Sequence, residues 1–202
     1  MTPHSQLAEI AGRSYRGPQS GRVALDVRVD FVPHGDEIVV TMPGTHPADP
    51  LDWARDLFAL PVWIAGLGLV HAGFGQGALA AWAYIDAQMR RDALATYTMH
   101  SLGGAMGVGV AALHALHRPQ QPFRLVTFAA PRIGFGWPWL RARLGAALEA
   151  VQYVRAGDLV PHVPTRPYLH GAPPTRIGVS AGNPILDHQI ARYAADCRAL
   201  GR

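Results

Sequence analysis

The chain of 202 residues contains no lysine and only one cysteine, Cys197. A single cysteine cannot form an intramolecular disulfide, so the fold cannot depend on one. Charged residues make up only 16% of the chain. Even so, no charge-free apolar run reaches the roughly 18 residues that a membrane-spanning helix needs. We therefore expect no transmembrane segment.

All 18 basic residues are arginines, and the chain has a net charge of +4. The arginines are scattered, with only Arg90 and Arg91 adjacent. No stripe of basic and aromatic residues recurs, as a nucleic-acid-binding module would require. The composition therefore predicts no nucleic-acid partner.

Length and composition favour one globular unit. Hydrophobic residues make up 49% of the chain, which suffices for one well-buried core, so we expect a single domain over residues 1–202. The first residues, Met1 to Tyr15, include Glu9 and lack the apolar stretch of a signal peptide. The default expectation is a cytoplasmic location, and release by lysis or by signal-free secretion stays open.

Strand and helix patterns alternate along most of the chain. Residues 23–31 alternate apolar and polar side chains, which predicts a half-buried strand, and a turn at 33–36 leads into a second strand at 37–42. The other expected elements are helices at 5–15, 74–91, 102–117, 138–149 and 187–199, strands at 94–99, 123–129 and 150–155, and a hairpin within 168–179. This order predicts an α/β fold with a mostly parallel central sheet, an antiparallel start and helices on both faces.

Ser101 stands at the junction of a predicted strand and a helix of small residues. Two glycines, Gly103 and Gly104, follow it closely. The pattern is typical of a nucleophile elbow, a sharp strand-to-helix turn that exposes a serine hydroxyl. Each glycine inside the helix costs about 1 kcal/mol relative to alanine. The helix is therefore expected to pack closely on the sheet, which would compensate that cost.

A serine nucleophile needs a histidine to accept its proton and a carboxylate to orient the histidine. In α/β-hydrolases the acid and then the histidine follow the serine along the chain. Asp158 lies in a loop directly after the predicted strand 150–155, at the strand end where a sheet-borne active site is favoured. We therefore predict Asp158 as the acid.

His188 is the leading candidate for the base. The reserve candidates are three histidines at predicted strand ends or in loops, His71, His162 and His170. His100 is adjacent to Ser101, but neighbouring side chains on a strand point in opposite directions. We therefore interpret His100 as a packed residue.

The oxyanion of a tetrahedral intermediate needs backbone donors from two places. One is the residue after the nucleophile, here Leu102. The other would come from the end of strand 37–42, where Pro43 and Gly44 turn the chain towards Thr45. The alternative is that Pro43 and Gly44 form only a turn.

In these motifs and in several further blocks, the chain resembles the class 3 lipases, the α/β-hydrolase group that includes the fungal triacylglycerol lipases. The likeness runs from about residue 36 to 196. The matching blocks, in the order of the family, are 39–45, 52–57, 71–74, 100–104, 127–134, 157–164, 168–171 and 187–193. The resemblance implies Ser101 as nucleophile, Asp158 as acid, His188 as base, and Thr45 with Leu102 as the oxyanion hole.

Two residues depart from the pattern of the family. Glycine usually stands two positions before the serine, where this chain has Met99. Arginine usually stands at the position of Pro43, so an anchor of the oxyanion loop is missing. We expect both changes to affect the rate more than the class of reaction.

Residues 58–70 form an apolar segment without any charged residue. In the family this region holds the lid over the site. Here Pro61 and two glycines favour a small hairpin or an extended flap. The segment is interpreted as a rim that receives an acyl chain, and the alternative is an ordinary core strand. The predicted acyl contacts are Phe58, Val62, Trp63, Ile64 and Leu67.

The leading hypothesis is a serine esterase or lipase that forms an acyl-enzyme and needs no metal or organic cofactor. Its expected partner is an acyl ester or lipid substrate, and transient contact with a lipid surface stays open. Close alternatives are an acyltransferase with the same residues and a catalytically impaired binding protein of the same fold. A metal enzyme is a weaker alternative, because His114 and His117 lack a third nearby ligand.

Overall fold

A seven-stranded sheet organises the computed structural model, which describes residues 1–16, 21–22, 27–44, 60–136 and 139–202. Its strands are β1 (Gly21–Arg22), β2 (Arg28–His34), β3 (Glu37–Thr41), β6 (Leu94–His100), β7 (Phe123–Phe128), β9 (Glu149–Arg155) and β11 (Pro174–Ile177), in the spatial order β1-β2-β3-β6-β7-β9-β11. The first three strands pair antiparallel, and all later pairs are parallel. The predicted α/β fold with an antiparallel start is confirmed.

A second sheet of four short antiparallel strands flanks the first within the described residues. It contains β4 (Pro61–Ile64), β5 (Gly68–His71), β8 (Gly134–Phe135) and β10 (Tyr168–Leu169), in the order β10-β8-β5-β4. Strands β4 and β5 form the small hairpin expected in the apolar segment. The predicted hairpin within 168–179 is wrong, because β10 pairs with β8 whereas β11 extends the central sheet beside β9.

Helices cover both faces of the central sheet. Helices α2 (Ala72–Gln88) and α3 (Ser101–His117) pack on one face around a core that includes Tyr97, Met99 and Leu125. Helices α1 (His4–Arg13) and α6 (Ile190–Ala199) pack on the other face around Phe128 and Tyr153. The remaining helices are the short α4 (Trp139–Leu144) and α5 (Pro184–Asp187). None of the described helices is long and apolar enough to cross a membrane.

Two predicted helices differ from the structure. The helix predicted at 138–149 ends at Leu144, because Glu149 enters β9 and binds Arg124 of the neighbouring strand. The helix predicted at 187–199 is interrupted at His188 and Gln189. Asn183 caps the start of α5 by accepting hydrogen bonds from two backbone amides.

The start of the chain is tied to the amino-terminal end of β3 by the buried carboxylate of Glu37. Its Oε2 accepts hydrogen bonds from the amide and the hydroxyl of Thr2, at 2.8 and 2.6 Å. Thr96 and Arg124 donate to the same carboxylate. Burial opposes its ionisation, but these donors outweigh burial and lower the pKa of Glu37 to about 2. Helix α1 thus begins from a fixed point at the amino-terminal end of β3.

Buried histidines make the stability of the fold sensitive to acid. Burial lowers the pKa of His114 to about 4, and burial and nearby cations lower that of His170 to about 4. Both side chains titrate near 6.5 in an unfolded chain, so below about pH 6.5 the unfolded state binds protons that the folded state does not. The free energy of unfolding should fall by about 1.4 kcal/mol per pH unit for each histidine as the pH drops from about 6.5 to 4.

The contribution of His114 can be isolated with a matched pair of variants. Tyr97 donates a hydrogen bond of 2.7 Å to Nδ1 of His114, so Tyr97→Phe/His114→Leu removes both partners and leaves no unpaired polar group between them. Tyr97→Phe alone keeps the titrating imidazole. Urea unfolding at several pH values should show a shallower pH dependence for the double variant than for Tyr97→Phe. Equal slopes would contradict this account of His114.

Candidate active site

Ser101 lies at the sharp turn between β6 and α3, as the elbow pattern predicted. Its φ of 58° is in the left-handed region, which a serine rarely adopts without a functional reason. The following helix packs closely against the end of β3. A Cβ on Gly103 would lie 2.3 Å from the backbone oxygen of Met42, so only glycine allows this approach. The predicted close packing of the glycine-rich helix is confirmed.

The structure brings Ser101, His188 and Asp158 into one hydrogen-bonded line. Nε2 of His188 lies 3.0 Å from Oγ of Ser101, and Nδ1 of His188 lies 3.1 Å from both carboxylate oxygens of Asp158. Because a carboxylate can only accept, Nδ1 carries a hydrogen and the Nε2 of the neutral ring accepts the serine proton. This arrangement can activate the hydroxyl as a nucleophile.

Asp158 is buried, and two further donors stabilise its negative charge. The hydroxyl of Tyr193 donates to Oδ2 at 2.7 Å, and the amide of Val160 donates to Oδ1 at 3.0 Å. The amide of Arg155 in turn donates to the hydroxyl of Tyr193 at 3.0 Å. These contacts orient the carboxylate towards His188 and satisfy its lone pairs in a site that excludes water. The family resemblance placed Tyr193 in the matching block 187–193, but no sequence pattern indicated its hydrogen bond to Asp158.

Asp187 holds the segment that presents His188. Its carboxylate accepts hydrogen bonds from the hydroxyl of Ser180 at 2.9 Å, from the amide of Ala181 at 2.9 Å and from Arg155 at 3.4 Å. Burial opposes its ionisation, but these donors outweigh burial and lower the pKa of Asp187. The interruption between α5 and α6 therefore has a fixed geometry, which directs the imidazole of His188 towards Ser101.

His100 is a packed residue, as the alternation of side chains predicted. Its Nε2 lies 2.8 Å from the backbone oxygen of His188, and the hydroxyl of Tyr15 lies 2.9 Å from its Nδ1. Burial lowers the pKa of His100 well below its ordinary value, so the ring is neutral. Nε2 then donates to His188, and Tyr15 donates to Nδ1.

Tyr15 also contacts the strand end that leads to the predicted oxyanion loop. The amide of Gly44 donates to the hydroxyl of Tyr15 at 3.1 Å, and burial raises the pKa of Tyr15 to about 12. Hydrogen bonds therefore lead from Gly44 through Tyr15 and His100 to the backbone of His188. Sequence reasoning missed this connection, because no motif marks the end of α1.

One of the two predicted oxyanion donors, Leu102, lies directly beside Ser101. Leu102 lies in the first turn of α3, where backbone amides have no partner within the helix. On the other side, a Cβ on Gly44 would lie 3.2 Å from Cβ of Ser101, so the β3 end passes directly beside the serine. Thr45, the second predicted donor, lies outside the described residues. The missing arginine anchor at Pro43 has a counterpart in the hydrogen bond between Gly44 and Tyr15.

Met99, the second departure from the family pattern, is accommodated by a glycine in α3. Its side chain is fully buried, and a Cβ on Gly107 would lie 2.4 Å from its Sδ. The methionine thus occupies the space that a side chain at position 107 would need. The glycine that the family places before the serine is replaced here by a glycine nearly two turns into the helix.

This complementarity predicts non-additive effects on stability. Gly107→Ala should destabilise the fold by about 1–3 kcal/mol through overpacking against Met99. Met99→Ala should cost about 2–5 kcal/mol through a cavity. The double variant should cost less than the sum, because the new methyl group partly fills the space left by the methionine. Chemical denaturation of the wild type, both single variants and the double variant measures the coupling free energy between Met99 and Gly107. Strictly additive losses of stability would contradict the shared space of these two residues.

The predicted acyl contacts divide between the core and the surface. Ile64 and Leu67 are buried against α2 and α3, where they approach Gly75 and Gly109. Both residues belong to the core, Ile64 as the last residue of β4 and Leu67 in the turn after it, and they do not line an open rim. Val62 is half-buried, and the side chain of Trp63 is 65% exposed. Phe58 lies outside the described residues, as does the block 52–57.

The reserve histidines take other positions. Nδ1 of His71 accepts a hydrogen bond from the amide of Phe74 at the start of α2, and burial lowers the pKa of His71. His162 lies exposed on the loop after Asp158, and His170 is buried beyond β10. Along the part of the chain that the structure describes, no group of three or more histidine, cysteine or acidic side chains could hold a metal ion.

Comparisons with known proteins agree on the family and the fold. The model of the class 3 lipase family matches residues 39–168. The structure resembles a Rhizomucor miehei lipase in complex with its propeptide, with a TM-score of 0.69 at 19% identity over 92% of this chain and 78% of the lipase. It resembles a fungal lipase-inhibitor complex with a TM-score of 0.69 at 16% identity, over 95% and 94% of the two chains.

A third similar structure is a triacylglycerol lipase whose catalytic centre is formed by a serine protease triad. Its TM-score is 0.61 at 22% identity, over 78% of this chain and 63% of the lipase, so this chain spans less than two thirds of its length. No sequence among the curated proteins matches the chain. The structural likenesses establish an α/β-hydrolase-type fold. Because the family model matches well over half of the sequence, the chain belongs to the class 3 lipase family, a family of serine ester hydrolases.

Proposed function

We propose that the protein hydrolyses carboxylic acyl esters through an acyl-enzyme, with Ser101 as nucleophile, His188 as proton carrier and Asp158 as orienting carboxylate. The observation that carries this proposal is the distance of 3.0 Å between Oγ of Ser101 and the Nε2 of His188 that can accept a proton. Family membership supports the same class of reaction. No cofactor is required for any step.

The reaction proceeds in two halves. Oγ of Ser101 attacks the ester carbonyl carbon while its proton moves to Nε2 of His188. The resulting oxyanion is stabilised by backbone donors, for which Leu102 and Thr45 are the proposed residues. The alcohol leaves with the proton from His188, and the acyl group stays on Ser101. Water then attacks the acyl-enzyme by the same route and releases the acid.

The substrate preference follows from the small hairpin. Strands β4 and β5 together with their turn span only residues 61–71 and pack along α2 and α3. Of the predicted acyl contacts, Val62 and Trp63 remain the proposed ones. A hairpin of this size supports only weak activation by interfaces, so soluble esters with short or medium acyl chains are the proposed substrates.

The test is turnover of chromogenic esters of increasing chain length, together with labelling by a fluorophosphonate probe. The wild type should hydrolyse short and medium esters and become labelled. Ser101→Ala should lose the label and about 10⁶-fold in turnover, as loss of the nucleophile does in serine hydrolases. Circular dichroism and thermal unfolding control for folding of the variant. A folded wild type that is neither labelled nor active would show that it is a catalytically impaired binding protein.

A further inference from the structure

A buried ion pair connects the strand that leads to the acid with the segment that carries the base. Arg155 ends β9, three residues before Asp158, and Asp187 directly precedes His188. The side chains of Arg155 and Asp187 are 4% and 0% exposed, and Nη2 of the arginine donates to Oδ1 of the aspartate at 3.4 Å. The pair therefore joins two parts of the chain that are far apart in sequence and meet at the triad.

The main chain of Arg155 supports the acid. Its amide donates to the hydroxyl of Tyr193 at 3.0 Å, and that hydroxyl donates to Oδ2 of Asp158 at 2.7 Å. A shift of Arg155 would therefore also shift the hydroxyl that binds the carboxylate. One residue thus contacts both Tyr193, which supports the acid, and Asp187, which holds the segment of the base.

Two further acceptors fix the guanidinium of Arg155. Nη2 donates to the backbone oxygen of Val179 at 2.7 Å, and Nη1 donates to the carboxylate of Asp196 on α6. Asp196→Asn would still offer an oxygen to Nη1, so this exchange leaves Arg155 in place. The contact with Asp187 is the one that reaches the segment of the base.

The backbone before Asp158 packs directly against Asp187. Gly157 precedes Asp158 and has a φ of 85°, in the region that favours glycine. A Cβ at this position would clash with Oδ2 of Asp187 and with Oγ of Ser180. The segments that carry the acid and the base are therefore in contact at this point, and the ion pair with Arg155 lies beside that contact.

The net gain in stability from a buried ion pair is small. Removing two charges from water costs free energy that their attraction does not always offset, so apolar side chains of similar volume often stabilise a fold equally well. The best use of such a pair is to fix one geometry. Here the geometry concerns His188, which must reach Ser101 and Asp158 at the same time.

We propose that Arg155 is a positioning residue, whose ion pair with Asp187 holds His188 where it can bind both Asp158 and Ser101. The inference rests on the proposed ester hydrolysis, to which it adds a residue that acts through Asp187. Misplacement of a catalytic group by about 1 Å costs about 100-fold in rate. Loss of the pair should therefore affect kcat more than KM.

Arg155→Met tests the role of the guanidinium, because methionine fills part of the same space without a charge. We expect kcat for a soluble chromogenic ester to fall by about 10–100-fold and KM to stay nearly unchanged. The rate of fluorophosphonate labelling should fall together with kcat. A folded Arg155→Met protein with the kcat of the wild type would overturn the proposal.

The matched control is Arg118→Met. Arg118 is also buried, and it donates to Oδ1 of Asp86 at 2.6 Å and to the backbone oxygen of Met89 at 3.2 Å. It follows the last residue of α3, so about 25 Å of helix separates it from Ser101. Arg118→Met should lose stability, as Arg155→Met does, but keep kcat. An equal fall of kcat in both variants would overturn the proposal, because lost stability would then explain it.

The double variant Arg155→Met/Asp187→Asn separates lost positioning from an unpaired charge. Arg155→Met alone leaves the carboxylate of Asp187 buried without its cation, whereas the double variant removes both charges. Asp187→Asn keeps an oxygen that can accept from the amide of Ala181. Urea unfolding should therefore show that the double variant is more stable than Arg155→Met, while its kcat stays equally low. Recovery of kcat together with stability would overturn the proposal.

Proton NMR separates this inference from the proposed function. The hydrogen between Nδ1 of His188 and Asp158 lies in a charge-assisted hydrogen bond and gives a signal far downfield, which Asp158→Asn should abolish. Arg155→Met should broaden or shift this signal, and Arg118→Met should not. An unchanged signal in Arg155→Met would overturn the inference even if the wild type were inactive. A wild type that shows the signal but neither turns over esters nor becomes labelled would contradict the proposed function alone.

Discussion

Replacing Asp158 by asparagine is expected to lower kcat about 10⁴-fold with little change in KM. The asparagine has nearly the same shape, but its amide group can donate a hydrogen bond to Nδ1 of His188. The imidazole would then carry its hydrogen on Nε2, which faces Ser101 at 3.0 Å and could no longer accept the serine proton. Steady-state kinetics with a soluble chromogenic ester measures the effect.

The control for Asp158→Asn is Asp196→Asn. Asp196 is also a carboxylate, but it binds Arg155 of β9 and does not contact the imidazole of His188. This variant should keep kcat near the wild-type value. If kcat of a folded Asp158→Asn protein fell by less than tenfold, Asp158 would not be the acid of the proposed triad. Another group would then have to orient His188.

Local patterns were sufficient to predict most of the central sheet and the elements around Ser101. Strands β3, β6 and β7 and helix α3 begin and end within about one residue of their expected positions, because alternation and small-residue runs mark them. Asp158 and His188 were predicted from the order of residues along the chain, and in the structure His188 lies between Ser101 and Asp158 and is hydrogen-bonded to both. Their catalytic roles stay predictions until they are measured.

Long-range packing explains what local patterns could not predict. The partner of Met99 is Gly107, and neither residue alone indicates the space that they share. Ile64 and Leu67 look like a surface rim in an uncharged segment, and only the position of α2 and α3 makes them core residues. The interruption before α6 depends on Asp187 binding the segment at 180–181.

Tyr15 is the clearest example, because its contacts span 85 residues to His100 and 29 residues to Gly44. We expect Tyr15→Phe to lower kcat by about 10–100-fold and to leave KM nearly unchanged. The phenylalanine removes the acceptor of the Gly44 amide and the donor to His100, so two polar groups lose their partner. Gly44 precedes the proposed oxyanion donor, and His100 supports the backbone of His188. Without Tyr15, the positions of the oxyanion donor and of the base should therefore both be less well fixed. Misplacement of this kind affects the transition state more than substrate binding.

A second tyrosine in the chain provides a matched control for Tyr15→Phe. Tyr97 also donates to Nδ1 of a buried histidine, His114, whose Nε2 donates to a backbone oxygen, that of Gln121. This second pair lies in the core between β6 and α3, away from Ser101. Tyr97→Phe should lose a comparable free energy of unfolding, about 1–3 kcal/mol, yet keep kcat and the rate of fluorophosphonate labelling. If Tyr15→Phe lost stability but kept kcat, Tyr15 would be a structural residue only. Loss of turnover in Tyr15→Phe alone would identify the tyrosine after α1 as a positioning residue for both the oxyanion side and the base.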